Sequence, residues 1–213
     1  MTLSSRNTLS TGAPASGRRA PGAAGRLLFA ASLALAALSA PAAAAAAGNV
    51  VPPAVPGTIA VPAGHRAFLI SHAIGTQNYL CMPRPNGTLG WSFVGPQATL
   101  FEVDLEQEMT HYLSVNPEED IARPTWRDSR DSSIVWANPI GDPAPVSPDA
   151  IPWLLLQVVG KQDWSDGDRL AKTTYIQRVN TVGGLAPAGD CPRLGARAFV
   201  PYAAEYVFYR AGN

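Results

Sequence analysis

Residues 173–191, T-T-Y-I-Q-R-V-N-T-V-G-G-L-A-P-A-G-D-C, limit this chain more than any other stretch. They begin with the β-branched and aromatic residues that suit a pleated strand. They break at Gly183-Gly184, turn at Pro187 and end on Cys191, one of only two cysteines. The same pattern recurs along the chain. Strand-like segments appear about every ten residues, with turn residues between them. There are 19 glycines and 20 prolines among 213 residues, with no repeat period, which fits many turns between short strands. No run of helical spacing extends beyond a couple of turns. The expected fold is therefore all-β, an antiparallel sandwich or closed barrel of about ten strands in a single domain.

Taken in order, strands are predicted at residues 66–74 and 76–82, separated by a break at Gly75. A Pro83–Gly87 turn follows, with Asn86-Gly87 supplying positive φ. Residues 89–94 and 98–104 are two further strands around a Gly95-Pro96 turn. A strand at 109–113 precedes a polar loop at 114–122, and residues 123–136 form two short strands around a charged turn. A Pro-rich loop at 138–148 leads to I-P-W-L-L-L-Q-V-V at 151–159, which is apolar on both faces and should be a buried central element. Residues 170–181 and 205–210 complete the set.

The N-terminus has a different character. Residues 1–47 contain Arg6, Arg18, Arg19 and Arg26 and no acidic residue, then an apolar run at 27–38 and a string of alanines. This is the pattern of a secretory signal peptide, with cleavage within 42–47 and no transmembrane anchor afterwards. The expected organisation is a signal peptide at 1–47, a Pro-rich lead-in at 48–63 and an all-β domain at 64–213. The predicted location is secreted or periplasmic. Without those four arginines, 12 basic residues face 16 acidic ones, a net charge of about −4. That balance argues against a nucleic-acid partner. Cys81 and Cys191 both lie in the exported part and are expected to form a disulfide.

Several blocks resemble a family of secreted bacterial and fungal proteins catalogued only as a domain of unknown function. They are Y-L-C at 79–81, W-S-F-V-G-P-Q-A at 91–98, H-Y at 111–112 and P-T-W at 124–126. They continue with I-P-W-L-L-L at 151–156, Y-I-Q-R-V-N-T-V-G-G-L-A-P at 175–187 and V-P-Y-A-A-E-Y-V-F-Y-R at 200–210. The resemblance implies no established activity. Some fungal members carry the name malate dehydrogenase, but this chain has no G-x-G-x-x-G and no alternating βα pattern. It departs from the family after P-T-W, where Arg127 to Asp131 replace a glycine-type turn.

Candidate chemistry is sparse. His65 and His72 are seven apart, which on an unbroken strand puts them on opposite faces and prevents joint chelation. No His-x-His or Cys-x-x-Cys pattern suggests a metal, and no cofactor motif is present. His111 could serve as a general base or ligand-binding imidazole beside Trp126 and Asp128; the simpler role is a hydrogen-bonded residue that pins a loop. Glu102 and Asp104 are two apart and share a strand face; the simpler reading is a solvated edge pair. No G-x-S-x-G elbow supports a serine nucleophile.

Trp91, Trp136 and Trp153 are expected in the core. Trp126 and Trp164 sit in polar surroundings, where an exposed ring could stack on a sugar or simply cover the core edge. Arg178, if it points inward, needs a partner, for which Glu205 is the candidate; its functional version is an anion site inside a barrel. The leading functional reading is a small-molecule or carbohydrate-binding protein with Trp126, His111, Tyr202 and Arg178 at the site. The alternatives are an extracellular hydrolase using His111 with Asp128 or Glu102, and a structural envelope or stress-related protein.

Overall fold

The structure is a computed structural model that describes residues 50–163 and 167–212. Eight strands form one closed antiparallel barrel in chain order: β1 (His65–Pro83), β2 (Leu89–Phe101), β3 (Gln107–Asn116), β4 (Ile121–Asp128), β5 (Ile134–Ala144), β6 (Trp153–Gln162), β7 (Thr173–Gly183) and β8 (Arg197–Ala211). β1 pairs with β8 from His65↔Ala211 to Leu80↔Arg197, so the sheet has no free first or last strand. Of the two architectures expected, the barrel is the one formed. Cys81 and Cys191 are joined by a disulfide, with Cα atoms 5.7 Å apart.

The strands are fewer and longer than the sequence suggested. Gly75 does not break a strand; it lies inside β1, opposite Ala98. A Cβ at Gly75 would stand 2.1 Å from the Gln97 carbonyl oxygen, so this glycine permits close approach of two backbones. Gly95-Pro96 is not a turn either. Val94 is an extra residue between the Phe93–Tyr79 and Gly95–Asn78 pairs, and Gly95 takes φ 135° in the resulting bulge. The loops expected at 114–122 and 138–148 shrink because β3 and β5 extend to Asn116 and Ala144. Bulges bend continuous strands at points where turn-forming residues imply chain reversal.

Bulges also change side-chain parity. Phe68 is an extra residue in β1, so His65 and His72 both face outward rather than to opposite sides. His65 meets the Tyr175 ring edge-on at 4.8 Å, while His72 Nδ1 stands 3.6 Å from a Glu205 carboxylate oxygen. No group of side chains suited to a metal occurs among the described residues.

The interior is filled by Leu100, Met109, Trp126, Val135, Ile176, Tyr206 and Phe208, among others. The outer face of β6 and β7 is covered too. Ile59 is completely buried in a cluster with Leu155, Trp153 and Tyr175, and Gln177 Nε2 donates to the Ile59 carbonyl at 2.7 Å. That cover explains why residues 151–159 are apolar on both faces. It also extends packing upstream of Gly64 into the lead-in, which forms a 3-10 turn at Gly57–Ile59. Trp136 is buried and donates from Nε1 to Ser114 Oγ at 2.9 Å. Trp153 is partly buried in the outer cluster, and Trp91 is only half-buried on β2. The expected signal peptide and Trp164 lie outside the described residues. No helix among the described residues is long and apolar enough to cross a membrane.

The disulfide fastens the β7–β8 connection to β1, where Cys81 N donates to the Ala196 carbonyl at 2.8 Å and Gly195 N to the Cys81 carbonyl at 3.0 Å. Cross-linking across a sequence separation of 110 contributes about 4–5 kcal/mol in the chain-entropy description. Replacing Cys81 and Cys191 by serine should lower the thermal midpoint by roughly 10–20 °C, as read by calorimetry at matched pH.

Candidate functional site

Trp126 fixes the centre of the interior. It is fully buried, not an exposed stacking platform. β4 places it across from His111 on β3, and the two rings stack with centroids 4.2 Å apart and planes 14° apart. Tyr206 of β8 meets both rings edge-on, at 5.0 Å from His111 and 5.4 Å from Trp126. These rings floor a cavity of about 100 Å³, whose lining also includes Gln77, Phe93, Pro96, Leu154, Leu156 and Arg178. The Tyr202 hydroxyl stands 3.4 Å from that of Tyr206. Trp126, His111, Tyr202 and Arg178 therefore gather around one end of the barrel interior. Gln77 and Tyr206 complete the group. Neither was expected from sequence, because a glutamine or tyrosine on a strand is indistinguishable there from an outward-facing one.

The polar groups around this cavity are mainly donors. Gln77 Nε2 and Trp126 Nε1 are buried without hydrogen-bond partners. An unsatisfied buried donor costs about 1–3 kcal/mol. Arg178 donates from Nε and Nη2 to the Pro152 carbonyl, at 3.2 and 2.7 Å, and has no carboxylate in ion-pair range among the described residues. The expected Arg178–Glu205 pair does not form. In the β7–β8 register Arg178 lies opposite Tyr206 and points inward, whereas Glu205 faces outward to His72 and Asn180. Burial raises both the Tyr202 and Tyr206 phenols above the usual value, so they stay protonated. His111 directs Nδ1 at the Thr125 carbonyl, 2.9 Å away, which places the proton on Nδ1 and leaves Nε2 as an acceptor. Desolvation pushes its pKa down to about 3.

Gly184 bounds the same end. Its φ is 82°, and an added Cβ would stand 2.9 Å from Tyr202 Cβ and 3.0 Å from Gln77 Cγ. The second glycine of the Gly183-Gly184 pair thus lets the β7–β8 connection pack on site residues. Tyr79 donates to its carbonyl at 2.7 Å. Beside the cavity, β2 and β3 pair only from Ala98↔His111 to Phe101↔Gln107. Beyond that ladder an open outer groove of about 680 Å³ runs along the two strands, and Pro96 and His111 border both the groove and the interior cavity.

The catalytic carboxylates considered for His111 belong to a separate cluster. Asp128 Oδ2 accepts from Arg169 Nη1 at 2.9 Å, and Arg169 Nη2 reaches Glu108 and Glu102. Glu102 also pairs with Arg130 at 2.9 Å and lies in the turn after β2, while exposed Asp104 accepts from Glu106 N. Glu102 and Asp104 therefore do not form a strand-face pair. Glu108 is completely buried, and burial raises its pKa despite Arg169. Simple alternation from Met109 and His111 would turn Glu108 outward. The β3 bulge that makes it an extra residue opposite Leu100 and Phe101 breaks that alternation.

The fold and site define a class: a closed eight-stranded antiparallel barrel with a disulfide at one end and a donor-lined interior cavity. Residues 62–210 match the family described as Protein of unknown function (DUF3455), and the chain belongs to that family. No curated protein and no solved structure matches the chain.

Two outcomes follow for stability. His111 is neutral in the fold down to about pH 3, whereas in the unfolded chain it takes a proton near 6.5. Its contribution is present above about pH 6.5 and is lost as pH falls towards 3. Denaturant titrations should show wild type losing up to about 1.4 kcal/mol per pH unit in that window relative to His111→Phe. Arg169→Met leaves the buried Asp128 and Glu108 without their cation and should cost about 3–5 kcal/mol at neutral pH. Part of that loss should return on mild acidification, as the carboxylates protonate. An acid-insensitive deficit would mean that Arg169 acts through packing alone.

Proposed function

We propose that this protein is an exported small-molecule-binding barrel whose ligand occupies the cavity between Arg178, Gln77, His111, Trp126 and Tyr206. One observation carries the reading: the Arg178 guanidinium lines an interior cavity with no carboxylate beside it among the described residues, held only by neutral groups. A charge inside a barrel is normally compensated, so a cavity that leaves a guanidinium without a carboxylate suits a guest supplying acceptors. The volume suits a molecule of a few heavy atoms, or the polar head of a longer one that continues past Phe93 and Pro96. Location outside the cytoplasm accords with the basic, apolar and alanine-rich pattern of residues 1–47 and with the Cys81–Cys191 disulfide. A carbohydrate stacked on an open tryptophan is less well supported, because Trp126 is enclosed. Hydrolysis by His111 with Asp128 or Glu102 is also less well supported. Its imidazole is neutral and partnered by a carbonyl, while both carboxylates engage Arg169.

A thermal-shift screen with small polar molecules tests the proposal. A ligand at about a hundred times its dissociation constant adds about 2.7 kcal/mol and should raise the midpoint by roughly 5–10 °C. Leu154→Phe, which fills the cavity, should abolish the shift. A shift that survives this substitution would place the ligand elsewhere.

A further inference from the structure

The ligand class can be narrowed, given the binding proposal above. We infer that the interior cavity takes a small organic anion, with a carboxylate seated against Arg178, Gln77 Nε2 and Trp126 Nε1. Charge and hydrogen-bond polarity both point this way. The Arg178 guanidinium is partly buried in the barrel and paired only with neutral groups, the Pro152 carbonyl and the Tyr206 hydroxyl. The separate Arg169 cluster is arranged differently: Arg169 meets Glu102, Glu108 and Asp128. Carboxylates thus compensate the guanidinium at the Arg169 cluster and are missing at the Arg178 cavity, where an incoming anion would take their place. The side chains that line the cavity carry donors in the Arg178 guanidinium, the Gln77 amide and the Trp126 indole N–H, and none of them is a carboxylate. A carboxylate has only acceptors to offer and two oxygens to share among these donors, a match that a neutral amide or alcohol cannot make as fully. A doubly charged phosphate or sulfate group would bring more charge than one guanidinium neutralises in an interior walled by Leu154, Leu156 and Phe93.

Isosteric pairs provide the experiment. The purified protein is titrated with sodium propionate and with propionamide at constant ionic strength held by sodium chloride, with tryptophan fluorescence and thermal midpoint as readouts. Propionate is expected to bind at least about tenfold more tightly than the amide, the scale of a charge-assisted contact. Gln77→Glu places a competing carboxylate in the cavity and should abolish propionate binding while Arg178 keeps its bond to Pro152. Arg178→Met should do the same where it folds. Equal binding of acid and amide would overturn the anion assignment and leave the binding proposal standing. Tight propionate binding that survives Gln77→Glu would also overturn it, by locating the anion outside this cavity. If neither compound binds and the wider screen is also flat, both readings fall.

Discussion

The pairing of the first strand with the last holds this molecule in shape. β1 and β8 are separated by most of the domain in sequence, yet they register over the length of both strands. Without that seam the sheet would present two long edges, and the interior would open to water. The closure is reinforced where it ends. Cys81 and Cys191 link β1 to the connection leading into β8, and Gly184 seats that connection against Tyr202 and Gln77. Because β1 and β8 also supply Gln77, Tyr202 and Tyr206, the seam that closes the barrel brings site residues together.

Inside, the barrel has two polar regions of unlike character and an apolar filling. In one, Arg169 is fully engaged by carboxylates, and Asp131 and Ser133 bind neighbouring backbone. That cluster behaves as internal structure, since its charges compensate one another. In the other, Arg178 lines a cavity with no carboxylate beside it among the described residues. Buried polar groups are normally satisfied, and the contrast within one interior makes the second region the candidate for an external partner. The rings of His111, Trp126 and Tyr206 border this cavity, and a wall of low polarity strengthens electrostatic interactions within it.

Four of the residues gathered around this cavity were singled out in the sequence, though for reasons that were only partly right. Trp126 was selected as a ring in polar surroundings, but it is enclosed; its charged neighbours Arg127 and Asp128 diverge to opposite faces of β4. Arg178 was recognised as an inward-facing charge needing a partner, and its expected mate Glu205 lies on the other face. Residues at adjacent register positions on paired strands face the same way only at matched parity, and Arg178 is opposite Tyr206. Glu108 and Arg169 were missed altogether. A bulge turns the first inward, and the second comes from a loop whose path is set by contacts to Asp128 and Asp131.

The sequence by itself determined the all-β class, the single domain and the cysteine pair, because alternation, β-branched content and turn residues are local signals. It also indicated a both-faces-buried element at residues 151–159. Only the tertiary structure decided that there are eight continuous strands rather than about ten short ones. The bulge at Val94 carries the turn residues Gly95-Pro96, the one at Phe68 carries no turn signal at all, and both reset side-chain parity. It likewise decided that His111, Trp126, Gln77, Arg178 and Tyr206 share one cavity. They come from five strands, and which face each occupies depends on register, bulges and closure, none of which is a property of any one segment.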